Sequence, residues 1–194
     1  MSARQPLPID ERLERAGQLV VRSRIFFDLW FYFESAEAYP GIMDVMERFN
    51  EFFRFDPHAH FVAFVVHMAA LFERRRDTIN LPALAWDMKA ANLISARDAA
   101  EVGAFLTEAM QVTPKVAILR NNLFAHRSAS MSYADAFERA QVTANQLRDL
   151  TDIALKIANR LLVVRGLRDQ FFNVLPRDNA EAMLVALKES RRHG

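Results

Sequence analysis

The chain predicts an all-α fold, an up-and-down helical bundle with additional short helices at its edges. Three observations carry this expectation. The 194 residues contain only 5 Gly and 7 Pro, about half the usual share of such chain punctuators, which argues against sandwiches, barrels and disordered tails. Hydrophobic residues make up 52% and charged residues 25% of the chain, enough apolar material for a sizeable core. Apolar side chains also recur at three- and four-residue spacings between cap-like polar stops. A single domain over residues 1–194 is expected, with a core of about 10–165 and a helical extension over 167–194.

Asp10 is positioned to cap a first helix from Glu11 toward Ser35, in which Phe26-Phe27 and Leu29 to Phe33 are apolar nearly all round. Such a segment is buried on several sides or pairs with another subunit. Pro40-Gly41 stops this helix, and Ile42 to Phe53 reads as a second. Asp56-Pro57 fits a cap followed by proline at the first helical position, opening a third helix that ends at Arg74-Arg75-Arg76. Pro82 opens a short helix to about Ala91, and Ser95 with Asp98 opens one through Met110. Thr113-Pro114 repeats the cap-plus-proline signal for a helix through Arg120 toward His126, after which Ser128 to Ser132 forms a turn. Ser132 with Asp135 begins another short helix. Thr143 with Gln146 forms a capping-box pattern before the clearest amphipathic run, Leu147 to Val164, which Gly166 stops. Asp178 with Glu181 starts a terminal helix ending in Arg191-Arg192.

The absence of cysteine excludes a disulfide scaffold, thiolate metal sites and a cysteine nucleophile. A net charge of +1 weighs against a binder that relies on massed Lys and Arg, though not against an enzyme acting on RNA at one local site. Met1 to Ile9 lacks the apolar region of a secretory signal. The longest apolar run, Phe61 to Phe72, is about a dozen residues against the about 20 needed to span a bilayer, and reads as a buried core helix. A cytoplasmic protein without a membrane association is therefore expected.

No phosphate loop, dinucleotide fingerprint, HExxH, EF-hand loop or nucleophile elbow occurs. Of the histidines, His58 and His60 fall roughly 200° apart on a helix and make a poor metal pair; no metal site and no cofactor is expected. His67, inside the apolar run, reads as a hydrogen-bonded core residue. The remaining candidate is Arg120-Asn121-Asn122-Leu123-Phe124-Ala125-His126. An Arg followed by His after four to six residues is common by chance, and Arg54 to His60 is a second match, but requiring Asn directly after the Arg lowers the chance expectation to roughly 0.08 and leaves only Arg120. Pro57 is also expected to break any helix joining Arg54 to its histidines.

Helix geometry adds to this. Taking about 100° per residue with Arg120 at zero, Val116 falls at about 320°, Leu119 at about 260° and Leu123 at about 300°, so Arg120 is expected to project from the apolar stripe. A guanidinium facing a core or interface is costly unless paired or used. His126 falls at about 240°, about 9 Å along the axis, and Asn122 shares its side. The two key side chains are thus not neighbours on one ideal helix: either the helix distorts after Asn122 or a second chain completes the site. The competing reading is that Arg120 pairs with a carboxylate such as Glu101 or Glu108 and His126 merely ends the helix.

The stretch RNNLFAHRS resembles the signature of the HEPN superfamily, and most of all its abortive-infection AbiU-type branch. The resemblance implies a HEPN-like helical bundle that dimerises, and a metal-independent endoribonuclease in which the RNA 2′-hydroxyl attacks the adjacent phosphorus. His126 would transfer the proton, Arg120 would stabilise charge on the phosphoryl oxygens, and Asn121 would hydrogen-bond the phosphate or orient the Arg. Asn122, Arg127 and Lys115 would hold substrate. The implied setting is bacterial defence or a toxin, with RNA as substrate, a homodimer, and an antitoxin protein as restraint. The alternatives are a catalytically silent HEPN-like bundle that binds RNA, a nucleotide or a protein, and a structural helical dimer in which the motif only packs.

Overall fold

The computed structural model describes residues 7–35, 39–73, 75, 77–122 and 133–190. Among them lie nine helices and no strand: α1 (Ile9–Glu34), α2 (Tyr39–Arg48), α3 (Asn50–Phe72), α4 (Leu81–Ala90), α5 (Ala96–Ala109), α6 (Thr113–Arg120), α7 (Tyr133–Ala140), α8 (Ala144–Val164) and α9 (Leu175–Glu189). The all-α expectation holds. The core gathers along α1, which packs mainly on α3 and α8; α5 lies against α8, and α6 against α3 and α7.

The aromatic segment of α1 is the hub of this core. Phe27, Trp30 and Phe33 are buried, and the Phe27 ring meets Phe64 edge-on at 5.3 Å while Trp30 meets Phe61 at 4.5 Å. Each large ring removes roughly 150–250 Å² from water, and such pairs add about 0.5–1.5 kcal/mol beyond area alone. Gly17 lets α1 approach α8 and the following chain: a Cβ there would lie 3.0 Å from the Gln170 side chain and 3.2 Å from Leu162. Ion pairs staple the same helices, Arg24 to Asp28 and Asp152, and Arg165 to Asp10.

Several boundaries differ from expectation. Asp10 does not cap α1; Pro8 precedes the helix without a side-chain cap, and Asp10, inside the first turn, bonds Arg165, which lowers its carboxyl pKa below the usual range. The second and third helices divide at Phe49 rather than at Asp56-Pro57, so α3 runs through Pro57. Pro57 is buried in the core, which offsets the donor it removes from the helix ladder. The argument that Pro57 breaks the Arg54–His60 stretch therefore fails; what separates that stretch is that His60 sits 3.3 Å from Asp56. α3 ends at Phe72, short of the arginine run.

Asn80, not read as a cap, accepts from the Ala83 N–H at 2.8 Å and starts α4. Thr113 is the first residue of α6 rather than its cap, and α9 begins at Leu175, three residues before Asp178, with Pro176 in its first turn. Ser95 caps α5 through the Asp98 N–H, and the Thr143–Gln146 box is formed in both directions at 3.2 Å. Gly166, at φ +69°, ends α8 as expected.

The C-terminal segment folds back on its own chain. Asn159 and Gln170 exchange two bonds of 2.8 Å. A second apolar cluster joins Tyr32 and Phe33 of α1, Ile42, Val45 and Met46 of α2, Phe53 of α3 and Leu184 of α9. One helix among the described residues, Asn50–Phe72, is long and apolar enough to cross a membrane by length and composition, longer than the apolar run alone suggests; core helices of soluble proteins share that property.

Candidate functional site

α6 carries Arg120, the first residue of the motif, as its last residue. Val116 and Leu119 are buried and hold the helix against α3 and α7. Their directions put the centre of the buried face at about 290° on the scale used above, so Arg120 lies about 70° from it. Arg120 is accordingly exposed at the C-terminal end of α6 rather than inside the apolar stripe. The expectation that its guanidinium faces the core is corrected: the stripe is narrower than the sequence pattern, and Ala117, counted on its edge, is exposed.

No ion pair among the described residues involves Arg120. Glu101, a partner considered for it, instead pairs with Arg160 of α8, which also holds Asp98 at 2.8 Å. A cation in the last turn sits favourably at the negative end of the helix dipole.

Past Arg120 the winding changes. Asn121 and Asn122 continue the helix as a π-turn, wider than the α-helix, and Asn121 is exposed. The Asn122 side-chain amide donates to the Ile118 carbonyl at 2.7 Å, bonding a backbone oxygen where the regular ladder changes step. Such π-bulges occur frequently at functional sites because they re-aim neighbouring side chains. His126 and Arg127, together with the turn expected from Ser128 to Ser132, lie outside the described residues.

Lys115 is placed differently from the rest of the set. Its Nζ donates to the Gln141 carbonyl at 2.6 Å and to the Gln146 side chain at 3.3 Å. It thereby ties α6 to the α7–α8 junction, where Gln141 takes φ +48°. Five residues apart on a helix, Lys115 and Arg120 point about 140° away from each other, so the structure does not bring Lys115 beside the motif arginine.

Two further groups depart from the sequence reading. His67 is half-buried against Phe26, 5.4 Å between ring centroids, but its Nδ1 has no hydrogen-bond partner among the described residues. Burial, with Arg22 adding to it, lowers its pKa and disfavours the imidazolium. Arg148 on α8 drew no attention in the sequence, yet its guanidinium lies over the Phe31 ring at 5.2 Å and the Phe27 ring at 5.7 Å. No local motif marks it, because the rings it covers are more than a hundred residues away in the chain. Among the described residues no group of three or more His, Asp or Glu is arranged to hold a metal ion.

Comparison with known proteins adds one finding. A protein-family model described as HEPN_AbiU2 (AbiU2) matches residues 7–180, covering most of the chain and the whole of the motif. Neither a curated protein nor a solved structure matches it.

Proposed function

The chain belongs to the HEPN_AbiU2 family, and on that premise we propose that it is a metal-independent endoribonuclease acting in bacterial defence or as a toxin. The observation that carries the proposal is Arg120, the first residue of the Arg-Asn-…-His stretch, exposed at the end of α6 within the span that matches the family, with no carboxylate among the described residues neutralising it. Arg24, Arg160 and Arg165 are each held by a carboxylate. Among the described residues Arg120 is not, and its planar fork suits two phosphate oxygens.

In the reaction, an RNA 2′-hydroxyl attacks the adjacent phosphorus and the 5′-oxygen of the next nucleotide leaves. The products are a 2′,3′-cyclic phosphate and a 5′-hydroxyl. His126, whose unperturbed pKa lies near neutrality, transfers the proton. Arg120 meets the charge that builds on the phosphoryl oxygens. Asn121 hydrogen-bonds the phosphate or orients the guanidinium, the π-turn setting its direction, while Asn122 and Arg127 hold the substrate strand. The protein acts as a homodimer whose second copy completes the site, in the cytoplasm, restrained by an antitoxin protein.

The test incubates purified protein with RNA in excess chelator, alongside Arg120→Ala and His126→Ala variants of equal helicity. Cleavage by the wild type that both substitutions abolish is expected. Cleavage that survives both, or that requires a divalent ion, removes the assignment; salt-sensitive RNA binding without cleavage favours the catalytically silent bundle.

A further inference from the structure

α4 and α5 turn matching faces toward each other without closing on one another. On α4 the face is Pro82, Ala85, Trp86 and Lys89; on α5 it is Ala99, Val102, Gly103 and Leu106. Both sets follow the i, i+3, i+4, i+7 spacing by which two helices pair directly. Here they bound an open cleft of about 190 Å³ instead. Gly103 contributes to that space: a Cβ added there would meet nothing within 4 Å. Glycine in a helix interior costs stability relative to alanine, and at this position no close approach of the chain's own atoms requires it. A larger apolar residue would reach into the cleft and favour the helix. We propose that the cleft is a binding site for a small planar aromatic anion, an acid of one or two fused rings, whose ring lies beside the Trp86 indole and the Gly103 backbone and whose charge meets Lys89.

Volume, surface and charge each narrow the occupant. The cleft is smaller than the roughly 300–1,000 Å³ of a drug-sized ligand site, so it takes one or two fused rings and neither a helix nor a nucleic-acid strand. Its lining is mostly apolar, with Val102 buried and Ile94 of the α4–α5 connection beside it. Water on such a surface finds few polar partners, and a ring that displaces it gains affinity. Trp86, 52% exposed, borders the cleft with an aromatic surface on which a second ring packs well. Lys89 supplies the sign of the charge. The carboxylates of α4 and of the first half of α5 are held elsewhere, Asp87 by Arg12 at 2.7 Å, and Asp98 and Glu101 by Arg160. No carboxylate among the described residues pairs with Lys89, which lines the cleft. None of these residues belongs to the Arg120–His126 stretch, so the proposal stands or falls without RNA cleavage.

The probe is 2-naphthoate, titrated into the full chain by calorimetry beside its uncharged analogue 2-naphthylmethanol. A ligand of about a dozen non-hydrogen atoms should bind with a Kd of about 1 mM or below. The acid should bind about threefold to fivefold more tightly than the alcohol, the gain of one partly exposed ion pair. Lys89→Gln should abolish that preference and leave the alcohol's affinity unchanged. Gly103→Leu should raise Tm and weaken both probes at least about tenfold, a combination that misfolding does not produce. No binding of 2-naphthoate up to about 10 mM, equal affinity for acid and alcohol, affinity untouched by Gly103→Leu, or a fall in Tm with that substitution each overturns the proposal. Tighter binding of N-acetylphenylalaninamide than of 2-naphthoate would assign the cleft to a side chain of a protein partner and overturn it as well.

Discussion

Replacing Lys115 by Met separates a structural cation from a substrate-binding one. The aliphatic stem is retained, and the substitution removes the bonds to the Gln141 carbonyl and the Gln146 side chain. A hydrogen bond from a charged donor contributes about 1.5–3 kcal/mol when well buried, and Lys115 is half-buried, so a loss of about 1–2 kcal/mol is expected. For a chain of this length that corresponds to a fall in Tm of roughly 2–8 °C. The anchored elements bracket residues 123–132, so RNA cleavage should fall as well, but the salt dependence of RNA binding should keep its slope. Thermal unfolding followed by circular dichroism, with binding titrations at several salt concentrations, reads both. An unchanged Tm together with a binding slope reduced by about one would show that Lys115 meets a phosphate, and would refute this assignment.

Arg120→Ala should behave in the opposite way, changing stability by no more than about 0.5 kcal/mol because the side chain is exposed, while lowering the cleavage rate by about 10²–10³ as for loss of one transition-state donor; a Tm loss as large as that of Lys115→Met would show a structural arginine. Thr143→Ala should cost about 1 kcal/mol by opening the capping box at the start of α8, read as a shift in the urea midpoint without a change in m-value. His67 has its folded-state pKa lowered by burial, so below the ordinary histidine value of 6.5 the unfolded chain takes up a proton that the folded chain resists. Stability should therefore fall as pH drops below that value, and His67→Leu should flatten this limb in urea titrations across pH.

The parts of the fold legible in the sequence were those governed by local chemistry. Ser95, the Thr143–Gln146 pair and Gly166 each act within four residues of themselves, and each does what its residue type implies. Pro57 misled because its meaning depends on burial: a proline that would break an exposed helix is held in α3 by the core around it. Asp10 looked like a cap but found Arg165 across the fold, a partner no local pattern announces. In the candidate site, the place of Arg120 on the helix that begins at Thr113 was legible. The direction of Arg120 was not, since the apolar residues around it outnumber those that α3 and α7 bury, and Lys115 looked free for substrate until the α7–α8 junction was in place.

The end chemistry of RNA fragments formed in the presence of excess chelator tests the central claim most directly. Fragments carrying 2′,3′-cyclic phosphate and 5′-hydroxyl termini, formed by the wild type and not by His126→Ala, are predicted. Fragments with 3′-hydroxyl and 5′-phosphate termini, or none until a divalent ion is restored, would contradict it.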